Sequence, residues 1–186
     1  MRNVMAWTLV VLLLIVVALL GIRIAGLSSL PELEPWHRLG PQELEVSELG
    51  AADWQAYLAA EAALFEHLQS KLIEPVTASG TAPYSRYASD SPVYPGNLPR
   101  DWNRSFTLQP PGPARGVVVL LHGLTDSPYS LRHIAQHLSE QGLLALVPRM
   151  PGHGTVPAAL TAAHWEQWLA ATRLAVREAR RQVPDG

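Results

Sequence analysis

At 186 residues the chain has the length of one ordinary domain, enough to bury a real apolar core. A net charge of −2 and a charged fraction of 16% give no electrostatic footprint for nucleic acid. The absence of cysteine excludes disulfides, thiolate chemistry and Cys-ligated metals, and leaves the redox compartment open.

The first element is VMAWTLVVLLLIVVALLGI, residues 4–22. It is uncharged, Thr8 is its one clearly polar side chain, and no helical period gives it a polar face. About 20 apolar helical residues span a hydrocarbon core of roughly 30 Å. Trp7 stands where an interfacial anchor would. A cleaved signal has a shorter apolar region, roughly 7 to 15 residues, and RIAG is a weak cleavage site. Residues 1–23 are therefore read as a single-pass membrane anchor, with a cleaved signal as the rival. Arg2 precedes the span, whereas Arg23 is soon followed by Glu32 and Glu34. That asymmetry points to a cytoplasmic amino terminus with the remainder extracytoplasmic.

Residues 24–50 carry scattered Pro, Gly and Glu without a period and read as a tether. In residues 53–73, Trp54, Tyr57, Leu58, Phe65, Leu68 and Leu72 recur at helical spacing, and Asp53 can cap the first turn. Residues 74–112 are rich in Pro, Ser, Gly and Tyr, and only SFTL, 105–108, resembles a strand. A loop so long predicts a wrapped surface or a shaped site. The resulting division is 1–23 anchor, 24–104 linker and helical lead-in, and 105–186 a partial α/β domain.

From Gly116 the pattern changes. GVVVLLHG predicts a strand buried on both faces. A helix follows, with Ser127 as N-cap, Pro128 at its first position, Leu131, Ile134, Ala135 and Leu138 inward, and Gly142 at its end. LLALVPRM is a second buried strand and PGHG a tight turn. A last helix begins near Thr161, with Trp165, Trp168, Leu169, Thr172 and Ala175 on one face and the basic run RLAVREARRQ toward solvent. This alternation predicts βαβ units and a parallel sheet with flanking helices, an α/β fold.

Ligands of such sheets bind beyond the carboxyl ends of the strands. His122, Gly123 and Leu124 lie at one such end, and Gly152, His153 and Gly154 at the other. Gly123 would let backbone approach a ligand, and the amides from Leu124 onward are free to face developing negative charge. Both histidines sit in turn motifs and need no acid–base role. Two rival chemistries fail on detail. His133 and His137 have zinc-helix spacing, but Ile134 stands where the zincin glutamate belongs. The pair should face solvent without a third ligand. Ser127 and Ser130 have no evident base.

The whole stretch VVVLLHGLTDSPYSLRHIAQHLSEQGLLALVPRMPGHG, with LTAAHWEQWLAATRLAVREA after it, resembles the α/β-hydrolase superfamily. It is similar to the carboxylesterase, monoacylglycerol-lipase and lysophospholipase-like members, over residues 105–186. The resemblance implies a serine hydrolase acting on carboxylic esters or acyl lipids, with no metal or organic cofactor and no nucleic-acid partner. It gives the Leu124 backbone N–H one half of an oxyanion hole, and makes His122, Gly123, Gly152, His153 and Gly154 site-shaping residues.

The nucleophile elbow G-x-S-x-G does not occur in the 186 residues. Triad acid and histidine follow the serine in chain order, so neither is expected here. The expectation is thus an N-terminal portion of a membrane-anchored hydrolase that is inactive by itself. The alternative is a complete, non-catalytic, membrane-tethered interaction module with a hydrolase-like half sheet.

Overall fold

The computed structural model describes the backbone of residues 2–28, 33–74 and 85–184, with side chains in the first span from residue 6. Glu32 and the first part of the Pro- and Ser-rich stretch, 75–84, lie outside the described residues. The chain divides into two compact units, Met1–Leu33 and Glu34–Gly186.

The first unit holds one helix, α1, Arg2–Ser28. Within it Ala6–Leu27 is long and apolar enough to cross a membrane, a property shared by signal sequences near an N-terminus. The helix runs past the tract read from sequence, because Arg23, Ile24, Ala25 and Leu27 continue it and single glycines at 21 and 26 cost it only about 1 kcal/mol each.

The second unit is a small mixed three-stranded sheet with flanking helices. In chain order it contains α2 (Val46–Ala51), α3 (Trp54–Leu68), β1 (Phe106–Leu108), β2 (Gly116–Val119), α4 (Arg132–Glu140), β3 (Leu143–Val147), α5 (Pro157–Ala162) and α6 (Trp165–Gln182). The strand order is β1-β3-β2. β2 runs parallel to β3, with Val117 opposite Leu144 and Val119 opposite Leu146. β1 runs antiparallel to it, with Phe106 opposite Val147. The expected parallel sheet is thus corrected to a mixed one. The β2–α4–β3 crossover is parallel as predicted, while the short β1 arrives from the lead-in without a crossover and pairs the other way.

β3 is the buried centre, since Leu144, Ala145, Leu146 and Val147 are all interior. Its Leu146 face meets Trp54, Tyr57 and the alanine-rich side of α6, Ala170, Ala171, Leu174 and Ala175. Its other face packs Ala145 and Val147 on Phe106 and Ala135 of α4. β2, expected to be buried on both faces, is half-buried from Val117 to Val119, because it forms an edge of the sheet among the described residues.

The lead-in belongs to this core. Asp53 caps α3 by accepting from Ala56 N–H at 2.8 Å, as predicted. The helix then widens into a π-helical turn over Gln69–Ile73. The stretch read as a tether contains the end of α1, a 3-10 turn at Pro35–His37, and α2. Trp36 and Leu49 from it are interior, and Arg177 of α6 donates to the α2 carbonyls of Leu49 and Gly50 and to that of Ala52 just after the helix, at 3.0–3.3 Å.

Three helical details differ from the sequence reading. Ser127 makes no side-chain cap. Its hydroxyl donates to Asn103 Oδ1 at 2.9 Å, and the helix begins as a 3-10 turn, Pro128–Leu131. Ile134 is 52% exposed, the inward face of α4 being Ala135 and Ser139. The last helix is two, α5 and α6, broken at Ala163–His164. Trp165 is 62% exposed and Leu169 is also outside, because α6 turns its small residues toward the sheet. Leu174→Ala should lower stability by about 2–5 kcal/mol in urea titration, and Trp165→Ala by less than about 0.5 kcal/mol.

Candidate functional site

The parallel pairing of β2 and β3 brings their carboxyl ends side by side, so the His122–Leu124 loop lies against the Pro148–Gly154 turn. Pro148 and Pro151 lack an N–H, which leaves Arg149 and Met150 as the donors of the turn's start. Both bond to side chains. Arg149 N–H donates to Ser105 Oγ at 2.8 Å and Met150 N–H to His122 Nε2 at 3.0 Å. Gly152 and Gly154 have φ of 83° and 71°. A Cβ at Gly152 would stand 2.6 Å from Ala163 Cβ, and one at Gly154 would stand 2.5 Å from the Asn103 carbonyl oxygen. Glycine is required at both.

With Nε2 accepting, His122 carries its proton on Nδ1 and donates to the Gly123 carbonyl at 3.0 Å. His153 faces carbonyls with both ring nitrogens, Nδ1 to Pro151 at 3.0 Å and Nε2 to Leu124 at 2.7 Å. The two imidazoles lie 4.9 Å apart, and His153 also packs on Trp168, whose indole N–H donates to Pro151 at 2.9 Å. Both histidines thus act as loop fasteners, and with Gly123 and Leu124 they line one cavity, whereas Gly152 does not line it and Gly154 lies against a separate one.

The Gly123 carbonyl accepts from His122 and, at 3.2 Å, from Asp126 N–H. In a trans peptide the Leu124 N–H is antiparallel to that carbonyl. It points away from both partners and makes no hydrogen bond within the described residues. Leu124 itself is 61% exposed. Leu121, Leu124, Met150, Trp168 and Leu169 line a mostly apolar open cavity of about 250 Å³ over this loop. Gly123, expected to let backbone approach a ligand, has no positive φ, and a Cβ there would meet nothing within 4 Å. What it leaves is open space on the cavity side.

Behind the turn lies a cluster that sequence reasoning missed. Arg149, 1% exposed, makes a bidentate pair with Glu43 (2.7 and 2.8 Å) and a third bond from Nε to Glu61 Oε1 at 2.9 Å. Its Nη1 also donates to the His153 carbonyl at 3.0 Å. Glu43 further accepts from Gly152 N–H at 2.7 Å, and Glu61 from Ser105 N–H and hydroxyl at 2.9 and 2.8 Å. The Tyr57 hydroxyl donates to the Arg149 carbonyl. The signal for Glu61 was legible, since it falls within the Trp54–Tyr57–Phe65 stripe. Glu43 had none.

Among the described residues no group of His, Asp and Glu is arranged to hold a metal ion. His133 and His137 are exposed on α4, His133 Nδ1 meeting Gln136 Oε1 at 3.1 Å.

No protein-family model matches the chain, and no curated protein matches it significantly. A solved structure described as that of LipS and LipT, two metagenome-derived lipolytic enzymes, is similar at 30% identity over 46% of this chain, with a TM-score of 0.41. The match covers 33% of that chain, so the matched part of this chain corresponds to about a third of that structure's length.

Burial holds the His122 imidazole below the ordinary histidine value of 6.5, at about 4, against the opposing bond to the Gly123 carbonyl. Between those values the unfolded histidine takes a proton that the native one refuses, so stability falls as pH drops through the window and levels off below it. Urea midpoints measured from pH 7 to 4 should decline less for His122→Gln, whose amide oxygen still accepts from Met150, than for the wild-type chain.

Proposed function

We propose that this chain carries the oxyanion side of a serine hydrolase site for carboxylic esters or acyl lipids, held at a membrane by α1 with the sheet extracytoplasmic. The observation that carries the reading is Leu124. The peptide planes on both sides of it are pinned, by His122 through the Gly123 carbonyl and by His153 through its own carbonyl, and its N–H is left over. A rigid donor without a protein partner, beside an apolar cavity, is what a developing oxyanion requires.

In this mechanism a serine outside these 186 residues gives its proton to a histidine and attacks the ester carbonyl. The tetrahedral oxyanion accepts a hydrogen bond from Leu124 N–H. Collapse expels the alcohol, which takes the proton from the histidine, and water hydrolyses the acyl-enzyme by the same route. Gly152 and Gly154 shape the turn that holds His153, and Gly123 leaves room above the loop.

Residues 1–186 by themselves should hydrolyse p-nitrophenyl esters no faster than buffer, and turnover above background would overturn the assignment of the nucleophile. The reading frame past the Gly186 codon should contain G-x-S-x-G within about thirty residues. A stop codon there would favour the interaction module. In the enzyme bearing the elbow, Leu124→Pro, which removes the N–H, should lower kcat roughly 10²–10³-fold with little change in KM. Leu124→Ala, which keeps it, should stay close to wild type.

A further inference from the structure

We infer that Glu43, a lead-in residue, is a positioning residue for the loop that presents the Leu124 N–H, acting through the buried guanidinium of Arg149. The purpose of the coupling rests on the hydrolase reading; the coupling itself does not. Four groups stand in series. Glu43 holds Nη1 and Nη2 of Arg149, Nη1 holds the His153 carbonyl, and the His153 ring reaches the Leu124 carbonyl at 2.7 Å. Glu43 also fixes the same turn directly, through Gly152 N–H.

The two carboxylates divide the work. Glu61 takes the Nε side and bonds Ser105, whose hydroxyl in turn accepts from Arg149 N–H, so it ties α3 to the junction of β1 and β3. Glu43 takes the outer fork and, among the described residues, bonds only groups of the 149–154 turn. Arg149 can serve both because its five donors lie in one rigid plane, which the single ammonium of lysine cannot reproduce. A buried ion pair contributes little stability beyond what apolar residues of equal volume would give. What this one supplies is a fixed direction for the His153 carbonyl, and through it a fixed loop.

The test uses the full chain in detergent micelles, with ¹⁵N resonances of the Leu124 amide and the His153 ring as readouts. Glu43→Gln and Arg149→Lys should displace both sets at unchanged far-UV dichroism. Glu61→Gln should lower the melting temperature and leave them in place. The inference is overturned if Glu43→Gln and Arg149→Lys leave the resonances at wild-type positions, or if Glu61→Gln displaces them equally. Should Glu43→Gln fail to fold, the wild-type chain still decides. Arg149 guanidinium protons must exchange at least about tenfold more slowly than those of exposed arginines, as buried hydrogen-bonded protons do, and exchange at the exposed rate would overturn the proposal. Ester turnover and the downstream reading frame test the hydrolase reading separately and do not enter this outcome.

Discussion

The architecture depends on one buried cation. Arg149 stands two residues beyond the end of the central strand, and an unpaired guanidinium could not remain there. Burial alone would lower its proton affinity, but the hydrogen bonds and charge of Glu43, with the charge of Glu61, outweigh this and hold the proton more firmly than usual. Burial likewise pushes the Tyr57 hydroxyl well above its usual range, so it stays protonated as a donor to the Arg149 carbonyl. Three segments far apart in sequence, around Glu43, Glu61 and Ser105, are thereby obliged to meet at one point. The short β1 strand and the irregular lead-in gain through this cluster the fixed position that their own backbone pairing could not give.

Much of the second unit was legible because its signals are periodic or conformational. The aliphatic run of β3, the cap at Asp53 and the glycines at 142, 152 and 154 each follow from a local rule, and each is where that rule puts it, while the β-branched run of β2 forms the strand but only half-buried, at the sheet's edge among the described residues. The misreadings share a different cause. Large apolar side chains were assumed to face inward, yet α6 buries alanines and leaves Trp165 and Leu169 outside, and α4 buries Ala135 rather than Ile134. Close approach of a helix to a sheet favours small residues at the contact, and composition cannot tell which face is the near one. Glu43 was invisible for a stricter reason. Its partner lies 106 residues away, and no local pattern records a long-range ion pair.

The residues at 122–124 and 152–154 were read from sequence as two three-residue motifs, but their contacts emerge only together. His122 on the β2 side bonds a backbone N–H of the β3 turn, and His153 on the β3 side bonds a backbone carbonyl of the β2 loop. The two rings cross between loops like paired laces. Around them Leu121, Leu124 and Leu169 are exposed and line the cavity with Met150 and Trp168, and β2 is an edge of the sheet among the described residues. An apolar surface beside an open strand edge is ordinarily covered in a folded protein.

The two prolines around Arg149 and Met150 carry a last consequence. They strip the turn of ladder donors, so its backbone is fastened by side chains: Ser105 and Tyr57 at Arg149, His122 at Met150, Trp168 and His153 at Pro151. A turn written in side chains is separately editable from the sheet that bears it. Evolution could re-aim this rim by exchanging single residues, one fastening at a time, while the β3 pairings beneath stay as they are. The scaffold and the aim of the site are then inherited as independent traits.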